Sequence, residues 1–177
     1  MAAKHPFLSD ISIGVATARD ASLLASLRAA VARDMKRQHG EGGWSAIPGK
    51  ATVLRQIRAS RVLVARESDE IVGTVRLTSA NSAAFDSSAF TPVASALYVL
   101  GLAVAPTARH RGIGRRLMDA AKAAARAWPV EALWLDAYDG AAGAGPFYRR
   151  CGFREVGRTT FDGVPLIYLE WLTASQG

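Results

Sequence analysis

The chain has 177 residues, of which 50% are hydrophobic, and its formal net charge is +7. This length suits one buried core, so we expect residues 1–177 to form a single domain with residues 1–10 as a flexible lead-in. Cys151 is the only cysteine, which excludes an internal disulfide and leaves no thiol cluster for a structural metal.

The basic residues are scattered along the sequence rather than gathered into a tail or an aromatic-rich basic strand. Proteins that bind nucleic acids usually concentrate Lys and Arg, because neutralising neighbouring phosphates drives their binding. The distribution therefore argues against a nucleic-acid partner and favours a smaller anion. No apolar run is long enough to cross a bilayer and the first residues do not resemble a signal peptide, so we expect a cytoplasmic protein without a membrane partner.

Periodicity predicts strands and helices throughout the first half of the chain. The predicted elements are a strand at 11–16, a helix that starts near Thr17 and ends before Gly40, a helix at 50–60, and strands at 61–66 and 71–77. Residues 79–93 are rich in Ser and Ala and show no period, which predicts a loop.

The second half opens on an almost wholly apolar run, Ala96 to Val104, typical of a central strand covered on both faces. Gly101 within it predicts a β-bulge. A helix follows from Ile113, and its apolar stripe extends to Trp128. The remaining predicted elements are a strand at 131–138, a short helix at 143–150 and a hairpin of strands 156–161 and 164–171.

The turn from Arg109 to Arg115 is the most informative segment, because it joins a buried strand to the start of a helix. A helix N-terminus has unpaired amides and a partial positive charge, and Gly112 and Gly114 let the backbone approach a phosphate closely. The turn therefore predicts a pyrophosphate site. It is neither a P-loop, since no Lys-Ser/Thr pair follows Gly114, nor a complete dinucleotide motif, since a third glycine is missing.

Arg109, Gly112 and Gly114 follow Leu102-Ala103-Val104-Ala105-Pro106 at a spacing that resembles the R/Q-x-x-G-x-G/A motif of the GNAT superfamily of N-acetyltransferases. Residues 147–153, Phe-Tyr-Arg-Arg-Cys-Gly-Phe, resemble the family's FY-x-x-x-GF segment. The order of elements also follows the family along nearly the whole chain.

The resemblance implies an α/β fold with a mixed, mostly antiparallel, strongly twisted sheet, helices on both faces, and a V-shaped cleft between strands 96–104 and 131–138. It also implies acetyl-coenzyme A (acetyl-CoA) as the cofactor. The cofactor-binding residues that it implies are Leu102, Ala103, Val104, Arg109, His110, Arg111, Gly112, Ile113, Gly114, Arg115, Asp139, Phe147 and Tyr148.

The implied reaction is direct attack of a primary amine on the acetyl thioester. By resemblance, the backbone amide of Leu102 is the oxyanion donor and Tyr148 is the general acid. Tyr98 occupies the position where some histone-type relatives carry a catalytic glutamate, so that base does not carry over.

The general base therefore stays open among Asp136, Asp139 and Glu41. Ala141 stands where many relatives have an Asn facing the cofactor arm, and Asp139 is expected to take over part of that role. Cys151 is expected to be a buried packing residue.

Two functions from different classes remain open at this stage. One is an N-acetyltransferase for a small-molecule or peptide amine, and the other is a non-catalytic acyl-CoA sensor. In the family the acceptor is selected by the first two helices, the loop at 40–44 and the last hairpin. Trp44 in that loop either walls the pocket or anchors the surface. Dimerisation is common in the family and is left open here.

Overall fold

The computed structural model describes residues 11–80 and 85–174, so the prediction for residues 1–10 lies outside the described part. All predicted strands and helices are present, with ends within a few residues of those expected. In chain order they are β1 (Ile11–Val15), α1 (Ala21–His39), α2 (Lys50–Ala59), β2 (Arg61–Glu67), β3 (Glu70–Thr78), β4 (Ala96–Val104), α3 (Ile113–Ala127), β5 (Ala132–Tyr138), α4 (Gly145–Arg150), β6 (Arg154–Phe161) and β7 (Val164–Leu172).

The seven strands form one sheet in the order β1-β2-β3-β4-β5-β7-β6. All neighbours in this sheet are antiparallel except β4 and β5, which run parallel. Parallel strands need a crossover connection, and α3 supplies it between β4 and β5. The predicted α/β fold with a mixed, mostly antiparallel sheet is confirmed.

β4 contains the bulge that Gly101 predicted. Thr74 pairs with Ala103 and Arg76 pairs with Leu100, so one more residue lies on β4 than on β3 between these pairs. Gly101 has φ +60°, in the left-handed region that glycine enters at little cost. The bulge turns the backbone of β4 immediately before Leu102.

β4 and β5 pair only at their starts and then part. Their three paired positions are Ala96 with Ala132, Leu97 with Leu133 and Tyr98 with Trp134. Beyond them β4 continues beside β3 and β5 continues beside β7. Backbone groups along the facing edges therefore have no strand partner, and the sheet opens into the predicted V-shaped cleft.

Helices cover both faces of the sheet. α3 and α4 pack on one face, where Leu117 and Met118 are fully buried, and α1 and α2 pack on the other, around Leu24 and Val53. The central strands are mostly apolar along their length because both faces of each strand are covered by side chains of other elements.

An aromatic cluster shares the sheet face of α1, beyond the end of that helix. It consists of Phe85, Phe90, Tyr98, Trp134 and Tyr168. The first two come from the predicted loop at 79–93, whose described part includes a short 3₁₀ turn at Ser87–Ala89. This loop thus covers the sheet where no helix does.

The predicted apolar stripe of α3 is wrong at its end. The helix stops at Ala127, and Trp128 follows in an extended conformation with 42% of its surface exposed. The guanidinium of Arg61 lies 5.2 Å from the centre of the indole ring. Helical spacing could not place Trp128, because its backbone has already left the helix.

Candidate functional site

The turn before α3 lines a cavity of about 350 Å³. Eight of the predicted cofactor-binding residues lie around it: Val104, Arg109, His110, Gly112, Ile113, Gly114, Arg115 and Phe147. His110 and Arg115 lie exposed at its rim. The structure therefore brings together the strand end, the glycine turn and α4, which are far apart in the sequence.

Gly112 caps α3 with φ +76° and ψ 5°, and a Cβ atom built on it would meet nothing within 4 Å. The amide of Arg116 donates to the Gly112 carbonyl at 3.1 Å and closes the first helical turn. The amides before it have no acceptor within the helix and point out of its positive end. Open space beside free amides fits a diphosphate, which is the group that acetyl-CoA would place there.

Gly114 serves a different purpose from Gly112. A Cβ atom on Gly114 would lie 3.2 Å from Cζ of Phe147, which is tighter than ordinary packing. The missing side chain therefore lets α4 close against the start of α3. Phe147 then faces this cavity, while Tyr148, the next residue, faces a second one.

Two arginine side chains of the turn bind carboxylates of the protein. Arg109 donates to Asp34 on α1 at 2.5 Å. Arg111 donates with both terminal nitrogens to Glu67 at the end of β2, at 2.9 and 2.6 Å. Both arginines therefore hold the turn in place through their side chains.

The second cavity, also about 350 Å³, lies in the cleft between β4 and β5. Its lining includes the predicted catalytic residues Leu102, Tyr148 and Asp136. Trp44 closes one side and packs edge-on against Tyr138, with ring centres 5.5 Å apart. Of the two interpretations of Trp44, the structure supports a pocket wall.

Tyr148 is only 8% exposed. Burial raises the pKa of its phenol, and the charges of Asp136 and Cys151 raise it further. The hydroxyl therefore keeps its proton throughout the neutral range, which is the state that an acid needs. Cys151 is buried, as expected of a packing residue.

The three candidate bases lie in different surroundings. Burial in the cleft raises the pKa of Asp136. Asp139 accepts a hydrogen bond from Arg158 at 2.8 Å, and Glu41 lies exposed in an ion pair with Lys36. Neither Asp139 nor Glu41 lines the cleft cavity, whereas Asp136 does.

Sequence reasoning missed three charged residues near the site. Asp34 is 4% exposed on α1, and Arg28 and Arg76 lie half-buried between α1 and the sheet. The sequence could have indicated Arg76 as a candidate site residue, because it is a charged residue within an otherwise apolar strand. Asp34 and Arg28 lie among helical residues whose spacing does not show which face is buried.

No helix within residues 11–80 and 85–174 is long and apolar enough to cross a membrane. Across the same described ranges, no group of three or more His, Cys, Asp or Glu side chains could hold a metal ion.

A mixed sheet that parts between β4 and β5, with a glycine turn at the start of the crossover helix, is the arrangement that the GNAT motifs implied. A sequence model of the acetyltransferase (GNAT) family matches residues 28–153, and the chain belongs to this family. It is therefore an acetyltransferase, and its acetyl donor is acetyl-CoA. No curated protein sequence matches the chain.

Solved structures share this fold at low sequence identity. The PaiA N-acetyltransferase of Thermoplasma acidophilum, solved with coenzyme A, is 17% identical with a TM-score of 0.71, over 92% of this chain and 99% of that one. The ribosomal-protein-alanine N-acetyltransferase of Brucella melitensis is 20% identical with a TM-score of 0.70, over 91% and 99%. The acetyltransferase YncA of Salmonella typhimurium, solved with acetyl-CoA, is 16% identical with a TM-score of 0.68, over 94% and 96%.

Proposed function

We propose that this protein transfers an acetyl group from acetyl-CoA to a primary amine by direct attack in the cleft between β4 and β5. The observation that carries the proposal is that Leu102, Tyr148 and Asp136, which come from three different elements, all line one cavity. When bound, acetyl-CoA supplies the thioester that the amine attacks.

The glycine turn would hold the diphosphate through the first amides of α3. From there the parted edge of β4 leads toward the cleft cavity, with Val104 at the turn and Leu102 in the cavity lining. Edge backbone groups without a strand partner can bond to the amide groups of the cofactor arm. This path supports the assignment of Leu102, Ala103 and Val104 as cofactor-binding residues.

The amide of Leu102 is our candidate for stabilising the negative charge that develops on the carbonyl oxygen. Backbone donors that are already in place cost no reorganisation during the reaction, and they act strongly where water is excluded. The bulge at Gly101 supports this role, since it fixes the direction of the backbone one residue earlier.

Tyr148 is our candidate for donating a proton to the departing sulfur. Its raised pKa keeps the phenol neutral, and its ring is fixed by edge-on contacts with Phe147 and Phe153, at 5.3 and 6.1 Å between centres. A fixed donor at hydrogen-bond reach is the requirement for general acid catalysis.

Among the three candidates, we assign the base to Asp136. A raised pKa brings a carboxylate closer to the working pH and makes it a stronger proton acceptor. Asp139 is held by Arg158, and hydrogen bonding and the charge of Lys36 lower the pKa of Glu41, which makes it a weaker base.

A thiol-release assay with acetyl-CoA and a panel of amines tests the proposal. We expect at least one class of primary amine to release thiol, with a stoichiometric acetylated product. Binding of acetyl-CoA without thiol release across the whole panel would contradict catalysis and favour the acyl-CoA sensor.

A further inference from the structure

Two arginines, Arg28 and Arg76, lie next to the bulged part of β4 that borders the cleft cavity. Arg28 comes from α1, and its Nη2 atom lies 2.9 Å from the position that a Cβ atom on Gly101 would take. Gly101 itself lines the cavity. Arg76 on β3 pairs with Leu100, the residue before Gly101.

Both side chains lie on the same face of the sheet. Val75 and Leu77, the neighbours of Arg76, belong to the core under α3, so Arg76 points to the opposite face, where α1 packs. α1 carries Arg28 to that face. The charge of Arg76 acts on the guanidinium of Arg28, so these two groups from distant segments lie near each other on the α1 face of the sheet.

Neither guanidinium has a carboxylate partner within residues 11–80 and 85–174. The Nε atoms of Arg28 and Arg76 are both buried without a hydrogen-bond partner. Burial lowers the pKa of Arg28, and the charge of Arg76 lowers it further, while burial alone lowers that of Arg76. No acidic group offsets either effect.

Other arginines of this chain that lie against the core are paired. Arg66 meets Asp20 at 2.8 Å and Arg109 meets Asp34 at 2.5 Å. Burying a charge without a partner is costly, and placing two like charges together adds to the cost. Unpaired buried charge at a cleft is typical of a site whose ligand supplies the counter-charge.

We propose that Arg28 and Arg76 bind a carboxylate of the acceptor substrate, so that the acceptor is a small amine of the amino-acid type. This inference rests on the proposed acetyl transfer in the same cleft. Guanidinium groups bind carboxylates through paired hydrogen bonds of matched geometry. The carboxylate would then lie near Gly101, one residue from the amide of Leu102.

The spacing limits the size of the acceptor. Neighbouring Cα atoms are about 3.8 Å apart, so a carboxylate at Arg28 and an amine near Leu102 belong to one short molecule. Asp136 in the same cavity faces the ammonium end, and Trp44 and Tyr138 offer aromatic surface to a side chain. Polyamines and aminoglycosides carry several positive charges and no carboxylate. The positive charges of Arg28 and Arg76 would repel them, so they are disfavoured as acceptors.

Matched sets of acceptors test the proposal in the thiol-release assay. Each set contains one amino acid, its carboxamide and its decarboxylated amine, for example phenylalanine, phenylalaninamide and phenethylamine, with leucine and glutamate sets beside it. We expect kcat/KM to favour the carboxylate member of at least one set by about tenfold to a hundredfold, as for hydrogen bonds between charged groups. Equal or better turnover of the uncharged members in every set would overturn the proposal.

Arg28→Gln and Arg76→Gln assign the effect to these two residues. Each should reduce the preference for the carboxylate member by about tenfold, through KM, while acetyl-CoA affinity stays unchanged. Arg33→Gln is the matched control, because Arg33 lies exposed on the same helix. An unchanged preference in both Arg28→Gln and Arg76→Gln would overturn the proposal.

Thermal stability separates ligand binding from a structural role. Removing an unpaired buried charge should keep or raise the Tm of the free protein. A lower Tm together with an unchanged carboxylate preference would show that the arginines are structural. If the variants fail to fold, the matched sets on the unaltered protein still decide whether a carboxylate is preferred.

Calorimetry with coenzyme A present distinguishes this inference from the proposed function. The amino acids and their decarboxylated amines can be titrated without any turnover. Tighter binding of the carboxylate member without thiol release would support the anion site and contradict acetyl transfer. Thiol release without carboxylate preference in turnover or binding would support acetyl transfer and overturn the anion site.

Discussion

Arg109 in the cofactor turn donates a 2.5 Å hydrogen bond to Asp34 on α1. Asp34 is 4% exposed and also accepts from Gln38 at 2.9 Å and from Arg37. α1 is therefore tied through Asp34 to the turn before α3, where we propose that the pyrophosphate binds. The arginine of the motif acts here as a positioning residue, since its side chain is committed to α1.

Asp34→Asn should weaken acetyl-CoA binding several-fold and lower the Tm, because Arg109 loses its charged partner. The pKa of Asp34 is lowered: burial raises it, but hydrogen bonds from Arg109 and Gln38 and the charges of Arg109 and Arg37 together outweigh burial. The stabilising effect is therefore present above the ordinary pKa of 3.8 and is lost as pH falls through the lowered pKa. Calorimetry measures the affinity for acetyl-CoA, and melting curves measure the Tm. Arg37→Gln is the control, because it removes the exposed arginine that also pairs with Asp34. Unchanged cofactor affinity in Asp34→Asn would show that Arg109 needs no partner to hold the turn.

Gly112→Glu should reduce acetyl-CoA affinity by about tenfold or more, because it places a bulky negative side chain at the phosphate-facing amides. Gly163→Glu is a close control, since φ is +78° at Gly163 and +76° at Gly112 and both positions open onto free space. Each change costs about 1–2 kcal/mol of stability through the left-handed backbone. Equal affinity of the two variants for acetyl-CoA would contradict the phosphate assignment.

Tyr148→Phe should lower turnover by about tenfold or more, because it removes the proton donor and keeps the packing of the ring. The Tm and the affinity for acetyl-CoA should change little, since the hydroxyl acts mainly as the carbon–sulfur bond breaks. Tyr98→Phe is the matched control and should leave turnover unchanged, because Tyr98 is a buried tyrosine that does not line the cleft cavity. Full activity of Tyr148→Phe would remove this residue from the mechanism and leave water as the proton source.

Asp136→Asn should lower kcat/KM by about a hundredfold near neutral pH if the carboxylate is the base. The same variant should be more stable than the unaltered protein at neutral pH. The raised pKa means that charging Asp136 costs stability, an effect absent below the ordinary value of 3.8 and complete above the raised pKa. Melting curves from about pH 4 to about pH 8 follow that gain.

Asp139→Asn is the paired control for the base assignment, since Asp139 forms an ion pair with Arg158 outside the cleft cavity. The turnover of Asp139→Asn should remain within a factor of about two, because the change removes only an ion pair near the surface, and such pairs contribute little energy. Loss of activity in Asp139→Asn with retention in Asp136→Asn would reverse the assignment.

Local patterns in the sequence predicted the elements, the bulge at Gly101 and the turn at Gly112. These features depend on neighbouring residues: alternation sets a strand, a left-handed position selects glycine, and a helix start leaves amides free. The prediction failed at Trp128, where the chain leaves α3 one residue before its apolar spacing ends.

The sequence by itself determined the family, the order of the elements and the glycine turn at the start of α3, because motif spacing and local backbone preference can be recognised along the chain. Only the tertiary structure decided which carboxylate stands in the cleft, and that Arg109 pairs with Asp34 from 75 residues away. It alone showed that the charge of Arg76 acts on Arg28, with no carboxylate partner for either among residues 11–80 and 85–174. Burial and charge compensation depend on which distant segments pack together, and no spacing within one segment carries that information.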